Sequence, residues 1–131
     1  MSVNMSTSRP YLIRALYEWI VDNQMTPYLL VDSDMEEVVA PRQYAQDGKI
    51  VLNIAPDAVQ TLKLGNEYVE FSARFSGKAM DVVIPISATM AIYSRENGRG
   101  MVFNDDGGDE TPPDGSGSTD KQVRSHLKLV K

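Results

Sequence analysis

The run YVEFSARFSGKAMDVVIPI, Tyr68 to Ile86, decides how the rest of the chain is read. Val69, Phe71, Ala73 and Phe75 alternate with Tyr68, Glu70, Ser72 and Arg74, the period of a strand with one buried face. Ser76-Gly77-Lys78 then supplies a short turn in which a glycine is free to take positive φ. Beyond it Met80, Val82, Ile84 and Ile86 resume the alternation, so the two runs predict a β-hairpin. The second run is apolar on its other face as well, through Val83 and Pro85. Pro85 also removes a ladder donor, which suits an edge or a bulge. Such a strand either lies under a second layer in a small β-barrel or lines a groove where an extended peptide joins a sheet edge.

Upstream, Gly65-Asn66 leads into the hairpin, and Val59, Leu62 and Leu64 are expected to tuck a short turn segment beneath it. Asp47-Gly48 is a strong turn signal, and Lys49 to Ile54 follows as a strand that Ala55-Pro56-Asp57 breaks. Tyr28 to Val31 makes another short strand. After it Asp32, Asp34, Glu36 and Glu37 crowd a loop; lacking the glycine-hinged spacing of a calcium site, they read as a solvated acidic loop.

Pro10 to Asp22 predicts a helix, with Ser8 as N-cap and Pro10 in the first turn. Leu12, Leu16, Trp19 and Ile20 form one apolar stripe, and Ile13, Tyr17 and Ile20 widen it. A helix at the end of a small domain needs only one such face for its own core. Deep burial or a second subunit accounts for the excess.

Downstream of the hairpin, Ser87 is expected to cap a brief helical turn through Met90, and Ala91–Tyr93 and Met101–Phe103 to be short strands around the Glu96–Gly100 loop. From Asn104 to Asp120 there is no large apolar residue, a composition that cannot offset the entropy of folding, so this segment is expected to be a disordered linker. Apolar residues return at Val123 and in Leu127-Lys128-Leu129-Val130-Lys131, a short greasy and basic end with the layout of a docking peptide. The organisation expected is a polar, disordered N-terminus (1–8), a mainly β domain with an N-terminal helix (9–103), a disordered linker (104–120) and a terminal docking peptide (121–131).

Composition narrows the function. The 131 residues are 42% hydrophobic, carry a net charge of −5 and contain no cysteine. Disulfides and thiolate metal sites are therefore absent. Six of the 18 acids and four of the 13 bases lie beyond Phe103, leaving a body with acids in excess, against affinity for nucleic acid or an anionic membrane. No stretch has the apolar length of a membrane span and the N-terminus lacks a signal-peptide core, so a cytoplasmic protein is expected. The one histidine, His126, stands in the tail without a rigid partner, and no nucleotide-binding or zinc-protease spacing occurs. The chain reads as a binding module needing no cofactor, and not as an enzyme.

Four blocks, RPYLIRALYEWIVDNQMTPYLLVD (Arg9–Asp32), DGKIVLNIAPDAV (Asp47–Val59), FSARFSG (Phe71–Gly77) and IYSRENGRGMVF (Ile92–Phe103), resemble the stringent starvation protein B family, SspB, specificity-enhancing factors for the ClpXP protease. The terminal Leu127-Lys128-Leu129-Val130-Lys131 is similar to the family's ClpX-docking end, with Lys128 where Arg is usual and Leu129 where Val is usual. The resemblance implies a homodimer of a small open Sm-like or SH3-like β-barrel, with the N-terminal helix at the subunit contact, where Leu16, Tyr17 and Trp19 are the candidates. It implies a groove for the ssrA degradation tag, and a tail that docks on the ClpX N-terminal domain. Ala73 falls in the family's tag-contact segment, although Ser72 replaces its Asn. The groove is expected to use Val51, Asn53, Phe71, Ala73, Phe75, Val83, Pro85, Met101 and Phe103, with Arg74 pairing a tag carboxylate. The rival reading is an Sm-like RNA-binding barrel, which calls for a basic, aromatic-lined groove that this acidic body lacks.

Overall fold

The hairpin forms as its alternation requires. In the computed structural model, which describes residues 5–103, β4 (Tyr68–Phe75) and β5 (Lys78–Pro85) pair antiparallel from Tyr68↔Pro85 to Phe75↔Lys78. Both turn residues, Ser76 and Gly77, have positive φ (54° and 81°), the mirror-image turn whose twist matches the flanking strands. Register puts Val69, Phe71 and Ala73 on one face with Ile84, Val82 and Met80. Of these, Val69, Phe71, Val82 and Ile84 are buried. β3 (Gln60–Leu64) completes a three-stranded sheet in the order β3-β4-β5.

The second sheet has four strands in the order β2-β1-β6-β7, made of β1 (Pro27–Asp32), β2 (Lys49–Asn53), β6 (Thr89–Ser94) and β7 (Gly100–Val102). Its inward row includes Leu29, Val31, Ile50, Leu52 and Ile92, all buried. The two antiparallel sheets enclose one core and do not close into a continuous barrel. The described residues are thus mostly β with one N-terminal helix, as the sequence predicts.

That helix, α1 (Arg9–Asp22), is capped through the Ser8 carbonyl, which accepts the N–H groups of Tyr11 and Leu12 at 3.0 Å. Ile13 and Ile20, two turns apart, are buried, while Leu12, Leu16 and Tyr17 are half-buried against the core. Burial raises the pKa of the Tyr17 hydroxyl. Tyr11, Ala15 and Trp19, one turn apart along a single row, are exposed. The helix rests mainly on β6 and reaches β1 and β3. No helix among the described residues is long and apolar enough to cross a membrane.

Two local expectations are corrected. The Val59–Leu64 segment is not a turn tucked under the sheet but strand β3. Its register against β4 shifts between Gln60 and Lys63, where Thr61 takes φ 58°, and the extra residue interrupts the alternation that would have marked a strand. The helical turn after the hairpin is a 3-10 turn at Ile86–Ala88, led in by Pro85 and not by Ser87. It ends early because Thr89 already belongs to β6. The expected linker (104–120) and docking peptide (121–131) lie outside the described residues.

A candidate peptide-binding surface

The segment between β1 and β2 lies along the outer edge of β5. Val39 and Val83 exchange two backbone hydrogen bonds, of 2.9 and 3.0 Å. A 3-10 turn at Arg42–Tyr44 follows, held back by the Arg42 guanidinium, which donates to the carbonyls of Met35 (3.0 Å) and Val38 (2.7 Å). This carries Tyr44 to the hairpin tip, where its hydroxyl hydrogen-bonds Ser76 Oγ and its ring lies 6.2 Å from that of Phe75. Val39 and Tyr44 were not signalled by any periodicity; the Val38-Val39 pair ahead of Pro41 is the one trace the sequence carries.

Ala73 sits on the inward face of β4, half-buried, between the large side chains of Phe71 and Phe75. A small side chain there leaves the end of the sheet less filled than its neighbours do. Arg74 projects to the opposite, exposed face, and its Nη1 donates to the Gly77 carbonyl at 3.0 Å.

A second accessible feature is β2, the outermost strand of the four-stranded sheet. Ser33 N–H donates to Gly48 O at 2.8 Å and Ile54 N–H to Pro27 O at 3.0 Å, so every second residue faces β1. Val51 and Asn53 fall on the alternate positions and turn their backbone groups outward. Val51 is 45% exposed, and Asn53 Oδ1 accepts the Ala55 N–H at 3.0 Å. Such an edge can pair with an extended chain.

The ten residues expected to form the groove therefore divide. Phe71, Met101, Phe103 and Pro85 are buried, the first three within the core cluster. Ala73 and Phe75 are half-buried at the hairpin end, Val83 is half-buried beside Val39, and Arg74, Val51 and Asn53 are exposed. Val51 and Asn53 belong to one sheet, and Ala73, Arg74 and Phe75 to the other. Leu16 and Tyr17 are half-buried and Trp19 is 45% exposed on α1. Leu127 to Lys131 fall outside the described residues.

Two cavities lie elsewhere. One, of about 220 Å³, is bounded by Trp19, Ile20, Met25, Ser94 and Arg99 at the end of α1. The other, of about 500 Å³, opens beside Arg9 and Phe103 at its start. Among the described residues no group of carboxylates or histidines is placed to hold a metal, and the acidic loop after β1 makes no such cluster.

Compared with known proteins, residues 7–130 match the family model described as stringent starvation protein B. A relative named stringent starvation protein B homolog, from Haemophilus influenzae, is 48% identical over 103 residues, covering 79% of this chain and 69% of the relative. With the family match spanning nearly the whole chain, the protein belongs to the stringent starvation protein B family.

Proposed function

We propose that this protein is a proteolytic adaptor that binds the ssrA degradation tag and tethers tagged products of stalled translation to the ClpX unfoldase. The observation that carries the reading is the family match, which runs from residue 7 to residue 130 and so takes in both the folded body and the terminal segment. In this reading the tag lies extended against the accessible hairpin end around Ala73 and Phe75, or along the β2 edge at Val51 and Asn53. The backbone of a sheet edge supplies affinity and side-chain pockets supply selectivity. Residues 104–120, rich in Gly, Ser and Asp, serve as tether, and Leu127–Lys131 as the docking peptide for the ClpX N-terminal domain. Such a protein acts by binding, with no catalytic step of its own, in the cytoplasm.

A homodimer fits the helix. The exposed row Tyr11, Ala15 and Trp19 runs beside half-buried Leu12 and Leu16, an apolar stripe that a second copy would cover. Two bodies would then present two tags and two docking peptides, and tethering raises local concentration toward the millimolar range.

Fluorescence anisotropy with a labelled ssrA peptide, beside labelled RNA, tests the receptor. ClpXP degradation of a tagged substrate, with the full chain and with residues 127–131 removed, tests the tether. The reading expects peptide binding in both forms and faster degradation with the full chain alone. Equal stimulation by the truncated protein, or binding of RNA in place of the peptide, refutes it.

A further inference from the structure

The cavity of about 220 Å³ at the end of α1 lies between two loops that hold each other in place. Gln24 takes φ 63°, and the helix closes with the Gln24 N–H on the Val21 carbonyl at 2.9 Å and the Met25 N–H on that of Ile20 at 3.1 Å. Met25 is then tied to the turn between β6 and β7, where its Sδ accepts the Ser94 hydroxyl at 3.3 Å and Asn97 Nδ2 at 3.5 Å. The next residue, Thr26, accepts the Arg95 N–H on its carbonyl at 2.9 Å. That turn is itself braced, with Ser94 N–H on the Arg99 carbonyl at 2.8 Å and Gly98 N–H on that of Ser94 at 2.7 Å. The cavity is therefore preformed, and a ligand need not order it.

Its lining is of two kinds. Trp19, Ile20 and Met25 are apolar, and Arg99 is an exposed cation. The carbonyls of the last helical turn do not claim that cation, because the Trp19 carbonyl accepts Asn23 Nδ2 at 2.8 Å and the Ile20 carbonyl accepts backbone N–H groups. Glu96 does not claim it either. It pairs with Arg95 at 3.1 Å and accepts the Thr26 N–H and hydroxyl. Among the described residues the Arg99 side chain makes no hydrogen bond or ion pair. A free arginine on a surface is ordinary. Beside an apolar cavity walled by a half-exposed indole, it forms the pattern that receives an apolar group carrying an anion. A single cation answers a single negative charge, which favours a carboxylate over a phosphate.

We propose that this cavity binds one aromatic or branched apolar group bearing a carboxylate, with the apolar body against Trp19 and Met25 and the carboxylate paired with Arg99. A free aromatic acid and the C-terminal residue of a polypeptide share that chemistry. The site has no residue in common with the hairpin end or the β2 edge. It does not depend on the adaptor reading, and its test uses neither tag nor ClpX.

Trp19 is the only tryptophan of the chain, so its fluorescence reads occupancy directly. Titrating N-acetylphenylalanine into the full-length protein should change that emission saturably, with a dissociation constant of about a millimolar or tighter, as its size allows. The uncharged N-acetylphenylalaninamide should bind about tenfold or more weakly. Arg99→Gln, at an exposed position, should keep the fold and abolish that preference for the acid. A short peptide ending in phenylalanine distinguishes the sources. Binding as tight as that of the small acid assigns the site to polypeptide C-termini, and binding of the small acid alone assigns it to free carboxylates; either supports the site. An emission that does not saturate overturns it, as does equal affinity for acid and amide or a preference that survives Arg99→Gln. Binding by the Tyr17→Glu variant but not by the wild type also overturns it, since a second copy would then cover Trp19.

Discussion

Replacing Gly100 by alanine should destabilise the domain by about 3–6 kcal/mol, far more than any other glycine-to-alanine change in its loop. A Cβ at Gly100 would stand 2.0 Å from the Ile92 carbonyl oxygen and 2.5 Å from the Tyr93 Cα. Both are backbone atoms of β6, so no side-chain rotation relieves the overlap and β7 must move away. β7 holds Met101, and Phe103 follows it; they are only 8% and 6% exposed. Exposing them forfeits about 1.5–3 kcal/mol each. The bonds that tie this segment to β6, Ser94 N–H to Arg99 O and Phe103 N–H to Met90 O, both 2.8 Å, are lost or lengthened at about 0.5–1.5 kcal/mol net apiece. Full detachment would sum these losses to about 4–9 kcal/mol, and movement of β7 only part of the way reduces them to about 3–6 kcal/mol. Gly98→Ala is the matched control. Nothing lies within 4 Å of a Cβ there, but its φ of 72° belongs to the left-handed region, worth about 1–2 kcal/mol. Urea denaturation of both variants measures the difference. If Gly100→Ala costs no more than Gly98→Ala, the close approach of β7 to β6 is wrong.

Three other outcomes are expected. Ala73→Gln should leave the fold intact, since Ala73 is only half-buried at the end of the sheet, and should weaken binding of labelled ssrA peptide at least tenfold; unchanged affinity in the folded variant would place the tag elsewhere, with the β2 edge next to be tested. Tyr17→Glu, which sets a charge on the half-buried face of α1, should shift sedimentation from dimer to monomer at micromolar concentration, whereas a monomeric wild type removes the proposed dimer. Glu96 is held at a pKa of about 2, below its ordinary 4.5, first by the Thr26 N–H and then by the Thr26 hydroxyl, at 2.8 and 2.7 Å. A depressed carboxylate contributes stability above about pH 4.5 that disappears as the pH falls toward about 2. Glu96→Gln should therefore flatten the stability–pH curve across that window, and an acid limb identical to wild type would show that the contact between the two loops does not couple to folding.

The hairpin, the helix and the class of the domain were legible in the residues because each is local. Period-two alternation over Tyr68–Phe75, a glycine in a two-residue turn and Pro10 near a helix start speak for themselves within a few positions. The family resemblance was legible for the same reason, in contiguous blocks. β3 was not, because a one-residue bulge at Thr61 erases the period on which a strand is recognised. The candidate surface was legible only in part. Phe71, Ala73 and Phe75 share a face by alternation alone, yet nothing in the order of residues says that Phe71 lies in the core while Ala73 and Phe75 stay half-buried. That depends on how far the second sheet extends over the first. Nor could the sequence bring Tyr44 to Ser76, or Arg9 to Thr89 and Phe103, since such contacts join distant positions through the packing of sheets and helix. Local propensity therefore determined the elements and their inward faces. Which side chains remain accessible, and which charge is buried, only the tertiary packing decided.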